Sequence, residues 1–179
     1  MAMKYLCILA LAVLLCTPSR AFAFDQEAGA SGSFGEILID TRLTQLSNYL
    51  YAVNSPMASD AVHFIRESDR LELDWKLVAA ISGVESYFGR RIPANSYNAW
   101  GWAIFTGKSS GRYFTDWKEG ITVVSEGLKE KYVNRGRDTV EKMGSVYAAD
   151  PAWSGKVRFF MYQIETYKPN STRELAIAL

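Results

Sequence analysis

One carboxylate and a cluster of aromatic and amide side chains just beyond it carry the chemistry in this sequence. Glu85 closes the apolar stretch LVAAISGVES, and Asn95, Tyr97, Asn98, Trp100 and Trp102 follow in NSYNAWGW. A carboxyl in the last turn of a helix faces the negative end of the helix dipole. Partial burial disfavours its charged form as well. Both effects raise its pKa, as a general acid working near neutral pH requires. Aromatic faces and amides suit pyranose rings, so the pattern points to an acid catalyst beside a sugar-binding cleft. Two plainer readings stay open. Glu85 can be an exposed helix-end carboxylate, since Glu is mostly a surface residue, and the aromatics can be core plugs under a loop.

The elements that must position these groups follow from spacing. Asp74 suits an N-cap, which predicts a helix over 73–88 starting near Trp75. Leu77, Ile81, Val84 and Phe88 recur at helical spacing as its core stripe. Gly83 leaves room for another segment or a ligand to approach. Gly89 is placed to end the helix, with Arg90 and Arg91 at its C-terminal end. The segment 89–114 is then a long loop, and long ordered loops are usually functional. Residues 99–114 leave room for a short β-hairpin, and Lys108 to Gly111 reads as a mobile tip.

Now a family likeness is visible. VESYFG followed by NSYNAWGW resembles the acid-catalyst motif of the lysozyme-like superfamily, closest to bacterial endo-β-N-acetylglucosaminidase-like (glucosaminidase) domains. Goose-type lysozymes and lytic transglycosylases are more distant relatives. The motif falls on Glu85, Ser86, Phe88, Gly89, Asn98, Trp100 and Gly101. A later stretch, VYAADPAWSGKV, resembles the family's Tyr-Ala-x-Asp-Pro segment and places the family's active-site tyrosine on Tyr147. The resemblance covers about residues 58–164. It implies glycosidic cleavage next to N-acetylglucosamine in peptidoglycan, with Glu85 as acid and Tyr147 stabilising positive charge or positioning a nucleophile. Ser86, Tyr97, Asn98, Trp100 and Trp102 are then substrate-binding candidates. Two departures put the glycan preference in doubt. Trp-Ala-Ile-Phe follows the Asn turn where the family has a Gly-Ile or Gly-Leu-Met-Gln type run, and Trp153 replaces a frequent second Tyr. An anhydro-forming lytic reaction and a catalytically inactive glycan-binding module are the alternatives. No metal or organic cofactor is implied.

The remaining chain frames this domain. Residues 1–23 read as a secretory signal: Lys4, an apolar run to Cys16, then Ala21-Phe22-Ala23. A lipoprotein start at Cys16 and an uncleaved anchor are the alternatives. Both cysteines lie there, so the mature chain would have no disulfide and no thiol nucleophile. Losing Lys4 and Arg20 leaves 18 basic and 19 acidic side chains, a net charge of −1. That balance does not suggest nucleic acid or an anionic membrane as partner. A secreted or periplasmic monomer is expected.

Residues 24–34 read as a linker and 35–57 as an N-terminal helix extension, with a helix over 35–53. Residues 58–167 read as the lysozyme-like domain and 168–179 as a tail. A second helix is expected over 58–67, with the lone His63 a surface or capping residue. Asp116 and Glu119 form a capping box opening a helix to Tyr132. They are also the acids to test as a second carboxylate. Asp138 and Glu141 form another box opening a short helix to about Met143. Asp150 caps the last helix, with Pro151 at its first position. The expected fold is all-α and lysozyme-like.

Overall fold

The computed structural model describes residues 40–103 and 111–169. Within them the chain is all-α, with six helices, two short 3-10 turns and no strand. The helices are α1 (Thr41–Ala52), α2 (Ala61–Leu71), α3 (Leu77–Ser86), α4 (Trp117–Lys131), α5 (Val140–Tyr147) and α6 (Trp153–Thr166). The expected signal, linker and most of the tail lie outside the described residues, as do 35–39 and the loop tip 104–110.

Helix α3 is the centre. Every residue from Leu77 to Gly83 is buried. LVAAISG carries no charge, and a helix apolar on all sides belongs in the interior. Helix α6 packs along α3 with α1 and α5 beside it, while α2 packs on α4. The core runs through Leu46, Phe64, Ile81, Trp100, Ile121, Leu128 and Val157. His63 bonds the Thr122 side chain at 2.8 Å, tying α2 to α4.

The end of α3 differs from the expectation. The helix stops at Ser86, and Tyr87 and Phe88 both adopt left-handed backbone, φ 51° and 60°. The Phe88 N–H donates to the Ser82 carbonyl at 3.0 Å and the Tyr87 N–H to Gly83 at 3.2 Å. These bonds, reaching six and four residues back, close the helix end, and Gly89 continues the positive-φ run at 82°. Left-handed backbone costs a non-glycine residue roughly 1–2 kcal/mol. Burying Phe88, 3% exposed, offsets it. Its ring folds back over Gly83, where a Cβ would sit 2.5 Å from Phe88 Cζ and 3.0 Å from Phe160 Cδ2. The room expected at Gly83 is filled by the chain's own aromatics.

Three helix starts are corrected by one or two residues. Asp74 and Asp150 do not cap helices directly. Each carboxylate accepts the N–H two residues on, Lys76 at 2.9 Å and Ala152 at 2.8 Å. Each carbonyl accepts the next N–H, from Leu77 and Trp153. These aspartates build a turn that feeds the helix. At α5 the cap is Thr139, whose Oγ1 accepts the Lys142 N–H at 3.3 Å, while Asp138 pairs with Lys142 Nζ at 2.7 Å. Thr139 has the extended backbone a cap needs. The Asp116 cap holds as expected, accepting the Glu119 N–H at 2.8 Å, while the Glu119 carboxylate reaches back to the Thr115 N–H rather than to Asp116. Near residue 100, Arg112 N–H bonds the Trp102 carbonyl at 3.0 Å and Phe114 N–H bonds Ser96 at 2.9 Å. The two limbs of the loop touch there without forming strands.

Two helical glycines test this packing. A Cβ on Gly120 would meet the Tyr97 carbonyl at 2.8 Å and the Trp100 and Phe114 rings at 3.0 and 3.1 Å. A Cβ on Gly155 would meet nothing within 4 Å. Alanine gains up to about 1 kcal/mol over glycine inside a helix. Overpacking costs about 1–3 kcal/mol. Gly155→Ala is therefore expected to raise the melting temperature and Gly120→Ala to lower it, checked by thermal denaturation.

Candidate active site

Glu85 sits in the last turn of α3. The residue as a whole keeps an exposed side. Its carboxyl is nonetheless crowded, and burial pushes its pKa up from the ordinary carboxylate value. The Trp153 indole N–H, 2.7 Å from Oε1, and the charge of Lys156 act in the opposite direction. Desolvation wins, which is the direction a general acid needs. The sequence placed Glu85 near an acidic function through the helix dipole. Burial, the other expected cause, is the one the structure shows.

Tyr147 ends α5 beside this carboxyl. Its ring stacks on Trp153 at 4.7 Å with 23° between planes, and it lies 5.8 Å from Tyr132 and 6.4 Å from Trp102. Burial, then the charge of Glu85, keeps its hydroxyl neutral, with the pKa well above the usual phenol. That hydroxyl donates to the Trp100 carbonyl at 3.0 Å. Lys156 meets Asp150 at 2.7 Å, which lowers the Asp150 pKa.

The substrate-binding expectations divide. Trp100 is core, 1% exposed, with its indole N–H donating to the Val78 carbonyl at 2.8 Å and its ring 6.3 Å from Phe64. No ring face is left for a sugar, so the expected platform is corrected. Asn98 is also inward. Its Nδ2 donates to the Trp102 and Arg112 carbonyls at 2.9 Å each, and its Oδ1 accepts the Trp102 N–H at 2.9 Å. The amide shapes the loop and has no free hydrogen. Ser86 is 3% exposed and donates to the Ala99 carbonyl at 2.7 Å, while its oxygen accepts the Gly89 N–H at 2.9 Å. It ties the loop to the end of α3 and is not presented to a ligand. Tyr97 is half-buried, edge-on to Trp117 at 5.2 Å. Trp102 remains the candidate ring. It is half-buried, in the notch left by Gly127, with Lys131 Nζ 5.2 Å from its centroid.

Asp116 and Glu119 stay at the start of α4. Glu119 accepts from the Thr115 N–H and hydroxyl at 2.7 and 2.8 Å and pairs with Arg112 at 3.1 Å, and these bonds hold its pKa below the usual value. Neither acid bonds Glu85, Tyr147 or Trp153. The structure does not bring them together with the candidate acid.

A groove of about 550 Å³ lies between α3 and α6, lined by Gly83, Val84, Tyr87, Lys156 and Phe159 among others. Glu85 is not in its wall. Trp153 itself was missed by sequence reasoning as a site residue. The signal available was its departure from the Tyr at that position of the resembled family.

No family model matches the chain. Two curated proteins named "Putative endo-beta-N-acetylglucosaminidase", from two strains of Streptococcus pneumoniae, are 27% identical over 129 residues. The match takes in 68% of this chain and 20% or 18% of theirs, so the chain spans about a fifth of these relatives. The likeness is to proteins of that name and assigns no residue.

Two outcomes are expected. Trp100→Ala should lower stability by ~3–5 kcal/mol, the range for a large core aromatic, read by chemical denaturation. Glu85→Gln should raise the melting temperature at pH 7. The folded-state pKa is raised, so the folded form holds the proton more tightly than the unfolded chain. Stability is then fully present below the unfolded value of ~4.3 and falls as pH rises through the folded value. The Gln variant lacks that loss, so its advantage should vanish on acidification below that window.

Proposed function

We propose that this chain is an exported glycoside hydrolase that cleaves β-1,4 bonds next to N-acetylglucosamine in peptidoglycan, with Glu85 as general acid. The observation that carries the reading is the Glu85 carboxyl. Its partial desolvation raises its pKa, the Trp153 indole hydrogen-bonds it, and the residue stays exposed. The 27% likeness to the named glucosaminidases supports the glycan class. In this reading Glu85 protonates the leaving oxygen as the glycosidic bond breaks. Tyr147, neutral and beside the acid, lends its oxygen lone pairs to the developing positive charge on the sugar ring. Trp102 supplies the aromatic face. The signal-like residues 1–23 support export and maturation at Phe24, to the periplasm or the medium.

A second reading concerns the outcome of cleavage. No carboxylate is among the groups that shift Glu85. Inversion with a second carboxylate, assistance by the substrate's own acetamido group and formation of an anhydro sugar all remain open outcomes, told apart by their products.

Glu85→Gln should leave glycan binding intact and cut wall-degrading turnover by ~10²–10⁴-fold, the typical worth of a general acid, read by zymography and a soluble turnover assay. A variant keeping more than about a tenth of wild-type turnover is too active for this role. Mass analysis of the products separates a reducing end from an anhydro end. Trp102→Ala should weaken glycan binding by about 1–3 kcal/mol, the burial value of a large apolar side chain. N-terminal sequencing of the exported protein should begin at Phe24, and a start at Cys16 or Met1 would contradict the maturation site.

A further inference from the structure

A closed run of contacts begins and ends on α3. The Trp100 indole N–H donates to the Val78 carbonyl at 2.8 Å, pinning the loop to the helix. The Trp100 carbonyl accepts the Tyr147 hydroxyl at 3.0 Å. The Tyr147 ring stacks on Trp153 at 4.7 Å. The Trp153 indole N–H returns to α3 at Glu85 Oε1, 2.7 Å away. Val78 and Glu85 lie about two turns apart on one rigid helix. Each link therefore limits the movement of the next.

An indole donates one hydrogen bond and accepts none. Trp153 can serve either a carboxylate oxygen or the carbonyl oxygen of a protonated acid. It cannot receive an acid's O–H. The carboxyl oxygen it holds is thereby reserved as the acceptor. We propose that Trp153 is a positioning residue that occupies Oε1 of Glu85 and so directs the acidic proton to Oε2. The inference rests on the reading of Glu85 as the general acid.

The packing supports a fixed indole. Trp153 is 2% exposed, too covered to touch a substrate. A Cβ on Gly144 would meet the Ser154 side chain first and stand 3.1 Å from Trp153 Cε3, so α5 carries glycine where the start of α6 packs on it. The groups facing the carboxyl are Lys156 from α6 and Tyr147 from α5, with Tyr132 behind Tyr147. Lys156 and Tyr147 both have raised pKa values, and Asp150 beside Lys156 has a lowered one. Lysine stays charged, the phenols neutral and Asp150 ionised while Glu85 titrates. A single titration around Glu85 therefore reports Glu85 itself.

The test uses the whole mature protein and needs no ligand for its first arm. In the wild type, the Trp153 indole N–H resonance should move with pH at the same midpoint as the Glu85 side-chain carbon, and it should stay still in Glu85→Gln. The second arm is Trp153→Phe, which keeps a stacked ring and removes the donor. Its kcat should fall about tenfold with KM within about twofold. The alkaline limb of its pH–rate profile should move to higher pH, because burial of Glu85 is then opposed by one donor fewer. A merely structural tryptophan would lower stability and leave that limb in place. An indole resonance flat through the Glu85 titration, or a Trp153→Phe protein with unchanged kcat and limb, overturns the inference. If Trp153→Phe does not fold, the wild-type titration decides alone. An active Glu85→Gln protein overturns the acid reading and this inference together, whereas an inactive one with an unmoved indole overturns only the role of Trp153.

Discussion

Desolvation of one carboxyl is the constraint around which the rest of the molecule is arranged. Glu85 lies at the C-terminal end of a buried helix, where the dipole and the loss of water both disfavour its charge. Neither influence can be removed without unburying α3, because Leu77–Gly83 forms the centre of the core. Compensation comes from partners brought by other elements. Helix α6 supplies the Trp153 indole and Lys156. Helix α5 supplies the Tyr147 ring that supports the indole. The compensation is partial, and the pKa stays raised. A stronger set of partners would cancel the rise in pKa. A weaker one would make the buried helix end costly to fold.

The abrupt end of α3 serves the same constraint. Two consecutive left-handed residues turn the chain back on itself directly after Ser86. Phe88 can then cover Gly83, and the Ser55 hydroxyl caps the Phe88 carbonyl at 2.9 Å. Ser86 bonds the loop at Ala99, thirteen residues ahead in sequence. A longer helix would carry Tyr87 and Phe88 past this point on a regular spiral, and Glu85 would no longer lie in the final turn.

The helical parts of this design were legible in the sequence because apolar spacing is a local signal. Leu77, Ile81 and Phe88 are buried and Val84 is half-buried, as the stripe required. Glu85 stood out because a lone acid inside an apolar run is unusual. The helix starts at 77 and 153 were displaced because an aspartate three residues upstream can build a turn with the same side-chain bond that a cap uses, and the start at 140 because Thr139 takes the cap beside Asp138. The roles of Asn98 and Ser86 were hidden for a different reason. Their hydrogen bonds run to carbonyls that only the folded loop brings near. No spacing rule distinguishes an amide that faces a sugar from one that faces its own backbone.

Trp100 and Trp102 show that limit most clearly. They are the same residue type two positions apart. On a strand they would share a face, and on a helix they would point to nearly opposite sides. The loop follows neither rule, because Tyr97, Gly101 and Ala103 each take positive φ and redirect the chain between them. Trp100 turns toward α2 and α3, where Phe64 and the Val78 carbonyl enclose it. Trp102 turns toward α4 and Tyr147, where Gly127 admits its edge. The buried ring contributes to the site through its backbone, since its carbonyl anchors the tyrosine that stacks on Trp153. Burial thus leaves Trp100 no open ring face, while the Glu85 carboxyl is tied to it through Tyr147 and Trp153. A residue at such a motif position can matter to catalysis as a fixed point, and substitution there changes folding and chemistry together.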